Sequence, residues 1–232
     1  MSSYLGQNFL IDKNIVAKIV KAGDIKKNDI ILEIGPGKGI LTQALLKKAK
    51  KVIAVELDQK LAQNLRCQMP NPKLKIINKN ILEISKSEIR NCHKIIASIP
   101  YYITGRILKK FAGYYLVLLV QKEVAQRICA KRKQSVLSIS VNSWGRPKII
   151  SQVSQNCFRP VPQVDSAILK IIPRLKPLKI NMNLVKKAFG QKRKKLRNTL
   201  NINSDRRPED LSLKNWVKIS QNYQQDTATL IC

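Results

Sequence analysis

The stretch that most constrains this chain is Ile30-Ile31-Leu32-Glu33-Ile34-Gly35-Pro36-Gly37-Lys38-Gly39-Ile40-Leu41-Thr42. It reads as a buried strand, a glycine turn and the start of a helix. A short apolar run bounded by glycines fits a parallel strand covered on both faces. Gly35, Gly37 and Gly39 remove side chains where the backbone must bend sharply, and the following helix offers unpaired N–H groups to a ligand. The turn therefore reads as a cofactor loop.

Spacing narrows the cofactor. A dinucleotide fingerprint is Gly-x-Gly-x-x-Gly, and here the third glycine comes one position early. A second strand, Lys51-Val52-Ile53-Ala54-Val55-Glu56, places Glu56 roughly 20 residues beyond the turn, where a carboxylate can take a ribose diol. The pattern Glu-x-Gly-x-Gly-x-Gly with this acid resembles the S-adenosyl-L-methionine site of class I methyltransferases, in which no pyrophosphate has to be cradled. On the loop alone, a nicotinamide site and a purely structural turn stay open as alternatives.

Around this loop the chain alternates. Asp12 is placed to cap a helix over 13–22, with Ile15, Val16, Ile19 and Val20 on one face. Helices are expected over 41–48 and 60–66, and strands over 74–77 and 94–98, the latter stopped by Pro100. Next come a helix over 103–111, a buried strand over 114–120 and a helix over 122–130. Strand-like segments follow at 134–142, 148–157 and 165–172. This order predicts an α/β, Rossmann-like, doubly wound and mostly parallel sheet. Pro173 and Pro177 punctuate a linker, so residues 1–173 are expected to form the catalytic domain. Residues 178–232 are expected to form a small basic helical domain, too short to stand alone and so docked on the first.

Charge points to a partner. The 232 residues carry 44 Lys and Arg against 14 Asp and Glu, a net charge of +30. That excess predicts a polyanion, with nucleic acid as the default, although a Lys-, Ile- and Asn-rich composition inflates lysine everywhere. The densest block, Lys192-Arg193-Lys194-Lys195-Leu196-Arg197, is expected to lie on a helix and contact RNA, the alternative being a solvated face. Cys67, Cys92, Cys129, Cys157 and Cys232 are scattered without a Cys-x-x-Cys pair and His93 is the lone histidine, so neither a metal site nor a disulfide framework is expected. The longest apolar run, 114–120, is too short to span a bilayer. A soluble, cytoplasmic monomer is expected.

Chemistry is suggested by Ser98-Ile99-Pro100-Tyr101-Tyr102-Ile103-Thr104, at the C-terminal end of a strand, where open α/β sheets place reactive groups. A polar side chain, a rigid proline with nearby carbonyls and an aromatic ring suit methylation of an exocyclic amine. The acceptors hold the amine hydrogens and the ring stacks on a base turned out of its helix. Without the cofactor loop, the same run reads equally as a proline turn with core tyrosines.

Several ordered motifs together resemble one family, the small-subunit ribosomal RNA adenine N6,N6-dimethyltransferases, relatives of the erythromycin-resistance methylases. They are Gly6-Gln7-Asn8-Phe9-Leu10, Glu33-Ile34-Gly35-Pro36-Gly37, Val55-Glu56-Leu57-Asp58, Pro100-Tyr101-Tyr102-Ile103-Thr104, Gln121-Lys122-Glu123-Val124 with Arg127, the run from Phe158 to Ala167, and Lys194-Lys195-Leu196-Arg197-Asn198. The resemblance covers almost the whole chain. It implies an S-adenosyl-L-methionine-dependent enzyme that dimethylates adenine N6 in small-subunit ribosomal RNA. A methylase of another RNA and a catalytically weak ribosome-assembly factor are the alternatives.

The resemblance also implies roles. Asn8 and Leu10 would close the cofactor pocket, with the methionine part over Gly35 and Gly37. Glu56 would hold the ribose hydroxyls, and Leu57 and Ile81 would sandwich the adenine. Asn80 stands where the family usually has Asp, and its amide oxygen accepts a hydrogen bond less strongly. Ser98 stands where the family usually has Asn, and with Pro100 it would face the target amine. Tyr101 and Phe158 would grip the target base.

Overall fold

The computed structural model describes residues 7–85 and 87–229. The chain forms two compact units. One comprises the described residues up to Ala125 together with Lys148–Ile172, and the other comprises Gln126–Pro147 with the chain from Pro173 onward. The expected break at 173–178 thus coincides with one crossing, while residues 126–147 group with the C-terminal helices.

The first unit is built on a sheet. Strands β2 (Ile30–Ile34), β3 (Lys51–Glu56), β4 (Leu74–Asn78), β5 (Lys94–Ser98), β6 (Tyr115–Gln121), β7 (Gly145–Val153) and β9 (Ser166–Pro173) lie in the order β4-β3-β2-β5-β6-β9-β7. Parallel pairing joins β4 to β3, β3 to β2, β2 to β5 and β5 to β6, and β9 runs antiparallel to β6. The central strands are covered on both faces, and for this reason β2, β5 and β6 are runs of Ile, Leu and Val instead of alternating patterns. The chain first winds outward from β2 to β4 and then returns to place β5 on the other side of β2. That reversal opens a crevice between the C-terminal ends of β2 and β5.

Helices cover the sheet. In α1 (Lys13–Ala22), Asp12 accepts from the Asn14 and Ile15 amides, as its position at the helix start demands, and Ile15, Val16, Ile19 and Ala22 are buried. Helix α2 (Ile40–Leu46) follows the glycine turn and buries Leu41, Thr42, Leu45 and Leu46. Helices α3 (Gln59–Gln68), α4 (Thr104–Lys110) and α5 (Lys122–Cys129) occupy the expected stretches. A separate two-stranded ribbon pairs β1 (Phe9–Leu10) with β8 (Phe158–Arg159), Phe9 opposite Arg159 and Leu10 opposite Phe158. Phe9–Leu10 forms a strand because 158–159 supplies the edge.

The second unit has its own core. Helices α6 (Val136–Trp144), α7 (Met182–Gly190), α8 (Leu196–Leu200) and α9 (Leu213–Thr229) surround the fully buried Trp216, whose ring lies 6.3 Å from that of Phe189. Two expectations are corrected here. Residues 134–142 are largely helical, not a strand. The alternation Leu137-Ser138-Ile139-Ser140-Val141 mimics a strand period, but a capping box decides the outcome: the Ser138 amide donates to Ser135 Oγ at 3.1 Å and the Ser135 amide to Ser138 Oγ at 2.8 Å. Most of the basic block is not on a helix either, because α7 ends at Gly190 and residues 191–195 turn before α8, which takes in only Leu196 and Arg197 of the block. No helix among the described residues is long and apolar enough to cross a membrane.

Gly39 tests the loop. Its φ is +80°, and a β-carbon there would sit 2.2 Å from Met69 Cε and 2.5 Å from Leu65 Cδ1. Gly39→Ala combines a left-handed residue with overpacking, so the urea unfolding curve is expected to show a loss of about 2 kcal/mol. An unchanged midpoint would contradict the loop geometry.

Candidate active site

A cavity of about 400 Å³ opens at the crevice between β2 and β5. Its floor is the glycine turn. The Gly35 amide donates to the Val55 carbonyl at 2.9 Å, and a β-carbon on Gly35 would lie 3.5 Å from the Ser98 carbonyl. The two signature motifs, 63 positions apart in Gly35 and Ser98, are thereby neighbours. Above the turn, Phe9 packs so closely that a β-carbon on Gly37 would meet its ring at 3.0 Å, and Lys38 Nζ lies 5.1 Å from the centre of that ring. Asn8, Leu10, Gly35, Gly37, Glu56, Ser98, Pro100, Tyr101 and Phe158 all lie in the wall.

Glu56 ties the turn to the end of β3. Its carboxylate accepts from the Gly37 amide at 3.1 Å and from the Asp58 amide at 3.0 Å. Burial pushes its carboxyl above the ordinary value, and these backbone donors oppose the shift. Each oxygen keeps acceptor capacity toward the cavity.

On the opposite side, Ser98 ends β5 and is half-buried. The Pro100 carbonyl accepts from the Ile103 amide at 3.2 Å, closing a 3-10 turn over Tyr101–Ile103. That bond leaves one lone pair for another donor. Tyr101 is half-buried, and its hydroxyl lies 2.7 Å from Ser166 Oγ at the start of β9. Burial raises its phenol above the usual value, and the Ser166 contact opposes this. Phe158 is 2% exposed, so its ring belongs to the wall and to the core behind it instead of forming an open platform.

Three expected cofactor residues lie outside the cavity wall. Leu57 is 52% exposed and Ile81 is buried. Asn80 uses its side chain locally: its oxygen accepts from the Leu82 amide at 3.0 Å, and its amide donates to Glu83 Oε1 at 3.1 Å. All three sit beyond Glu56, where the Lys79 amide and the Asn78 side chain bond to the Glu56 carbonyl at 3.1 and 2.9 Å. Lys192, Arg193, Lys194, Lys195 and Arg197 are exposed in the second unit, and Asp205 pairs with Lys195 at 3.5 Å and with Arg197 at 2.8 Å. Among the described residues no group of His, Cys, Asp and Glu could hold a metal ion.

The wall also contains residues that stand in the sequence motifs but were given no role there. Tyr102 stands at the cavity's edge, 69% exposed. Gln121 ends β6 opposite Ser166. Glu33, inside the apolar run of β2, is 1% exposed with neither oxygen hydrogen-bonded, and burial pushes its carboxyl up to about 8. An acid within Ile-Ile-Leu-Glu-Ile was the available signal. A buried, unpartnered carboxylate facing a cavity suits a ligand with a cationic end.

A family model described as ribosomal RNA adenine dimethylase matches residues 1–232. The ribosomal RNA small subunit methyltransferase A of Mycoplasmopsis pulmonis is 41% identical over 225 residues, covering 91% of this chain and 88% of that protein. Its namesake from Dehalococcoides mccartyi is 37% identical over 253 residues, covering 94% of this chain and 87% of the relative. Among solved structures, a dimethyladenosine transferase from Plasmodium falciparum aligns with a TM-score of 0.75 at 30% identity, covering 84% of this chain and 75% of that one.

The Tyr101–Ser166 contact joins the motif after β5 to β9, and it is testable in the free protein. Ser166 is fully buried, so Tyr101→Phe strands its hydroxyl and is expected to lower stability by about 1–2 kcal/mol in urea unfolding. Ser166→Ala made in the Tyr101→Phe background should then cost much less than Ser166→Ala alone. Additive effects would show that the two hydroxyls do not interact.

Proposed function

The chain belongs to the ribosomal RNA adenine dimethylase family, and from that premise we propose that its cavity binds S-adenosyl-L-methionine and that it places two methyl groups on adenine N6 of small-subunit ribosomal RNA. The observation that carries this reading is the meeting of the Gly35–Gly39 turn with Ser98–Tyr101 across one cavity at the sheet's reversal point. When bound, the cofactor supplies a methyl group on a sulfonium, an electrophile with a neutral leaving group, so neither a covalent enzyme intermediate nor a metal is called for.

The protein's part is positioning. Glu56 takes the ribose hydroxyls, Asn8 and Leu10 close the pocket, and Gly35 and Gly37 admit the methionine part to the backbone. Ser98 Oγ and the free lone pair of the Pro100 carbonyl accept the hydrogens of the adenine amine, drawing its nitrogen toward tetrahedral geometry. Serine is short, so the amine must approach closely or lean more on the carbonyl. Tyr101, its hydroxyl held by Ser166, stacks on the target base, and Phe158 backs it. No side chain of the motif is a strong base, and the proton leaves to water after transfer. The same steps repeat on the monomethylated base.

Recognition of the RNA rests on phosphate contacts and shape more than on base edges. Catalysis is assigned within residues 1–173. RNA contact is assigned to the helical part within 178–232, where Lys192, Arg193 and Lys194 have no ion-pair partner among the described residues. The enzyme acts as a monomer in the cytoplasm.

The test is transfer of labelled methyl from S-adenosyl-L-methionine to unmodified small ribosomal subunits, with large subunits and naked RNA in parallel, followed by nucleoside analysis. Dimethyladenosine from the small subunit alone is expected. Label only in the large subunit, or none despite bound cofactor, would contradict the reading. Tyr101→Ala should lower the transfer rate by about a hundredfold or more while leaving RNA affinity nearly unchanged. Equal loss of both would make Tyr101 a core residue instead.

A further inference from the structure

Tyr102 has no role in the chemistry above, yet it stands at the cavity's edge, 69% exposed. Among the described residues its hydroxyl has no hydrogen-bond partner and its ring no aromatic or cationic neighbour. The turn explains its direction. Tyr101–Ile103 is 3-10 helix, in which successive side chains step by a third of a turn. Tyr101 therefore reaches inward to Ser166, and Tyr102 is turned out to solvent.

The outward face continues into α4. That helix buries Thr104, Ile107 and Leu108, which leaves Gly105 and Arg106 exposed on the side that follows from Tyr102 at helical spacing. Glycine is a poor helix former, and the fold gives no reason for it here. A β-carbon on Gly105 would meet nothing within 4 Å, and its φ is not positive. A side chain whose absence no internal neighbour requires leaves the helix backbone open to approach from outside. Arg106 has no ion-pair partner among the described residues, and the run Tyr101–Lys110 contains no acid.

We propose that Tyr102, Gly105 and Arg106 form a docking face for the RNA beside the target nucleotide. The Tyr102 ring stacks on the base next to the adenine that enters the cavity, Gly105 lets the sugar-phosphate backbone lie against α4, and Arg106 pairs with a phosphate. The proposal rests on the reading of the cavity as a site for an RNA adenine. A base turned out of its helix leaves its neighbour with a bare face, and an aromatic ring one residue from the ring that grips the target is placed to cover that face. Stacking asks nothing of the hydroxyl, which suits a tyrosine whose hydroxyl has no partner. Phosphate suits Arg106, because a guanidinium binds it in a two-pronged fashion and no acid on this face competes.

The experiment is steady-state methyl transfer by the full-length protein to unmodified small ribosomal subunits, with S-adenosyl-L-homocysteine affinity and the thermal midpoint measured on the same variants. Tyr102→Ala is expected to raise KM for the subunit about tenfold, and Tyr102→Phe, which keeps the ring, should restore it. Arg106→Gln should raise KM and lower the slope of log KM against log salt by about one. Gly105→Leu separates docking from folding. Its side chain enters open space, so the midpoint should hold or rise while KM increases. All these variants should bind S-adenosyl-L-homocysteine as wild type does. The photoreactive residue p-benzoylphenylalanine in place of Tyr102 should crosslink to the nucleotide adjoining the methylated adenine. Wild-type KM in both Tyr102→Ala and Gly105→Leu, weakened cofactor binding with KM for the subunit unchanged, or a crosslink to ribosomal protein would overturn the proposal while leaving the methyltransferase reading intact. Transfer by wild type to no RNA at all would overturn both.

Discussion

The parallel pairing of β2 with β5 is the constraint on which the rest depends. It sets Leu32 beside Ile95 and Ile34 beside Ala97, so the turn that leaves β2 and the motif that leaves β5 emerge at the same edge. Neither motif makes a cavity alone. The glycine turn provides bare backbone, Ser98–Tyr101 provides acceptors and a ring, and the reversal of strand order supplies the space between them. The apolar residues of β2, β5 and β6, almost all fully buried, hold that edge in register, because a parallel sheet covered on both faces has no polar side on which to slip.

Electrostatics divide the molecule in two ways. Outside, a net charge of +30 suits a polyanionic substrate. Inside, the cavity is lined by two buried acids, Glu33 and Glu56, both with raised pKa values. Two carboxyls buried around one cavity contrast with the basic exterior. The two acids differ in their bracing: Glu56 is held by backbone amides, while neither Glu33 oxygen has a hydrogen-bond partner.

Much of this was legible in the sequence because it is local. Strand, glycine turn and helix at 30–46 follow from apolar runs and glycines, the cap at Asp12 from its position, and the motif after β5 from proline and aromatic residues. What was not legible is tertiary. Residues 134–142 alternate like a strand and fold as a helix because Ser135 and Ser138 cap each other. Residues 191–195 carry a helical density of charge but fall after the end of α7. Leu57, Asn80 and Ile81 are adjacent to the cavity in sequence logic but point their contacts elsewhere. Ser166 and Gln121 become part of the site's surroundings through the antiparallel register of β6 and β9, which no local pattern encodes.

The central claim is that one cavity, between the ends of β2 and β5, holds the methyl donor and presents it to the target amine. A crystal structure of the protein with S-adenosyl-L-homocysteine tests it most directly. The ligand is expected in this cavity, with its ribose hydroxyls on Glu56 and its sulfur turned toward Ser98 and Tyr101. A ligand bound anywhere else, or lying in the cavity with its sulfur turned away from Ser98, would contradict it.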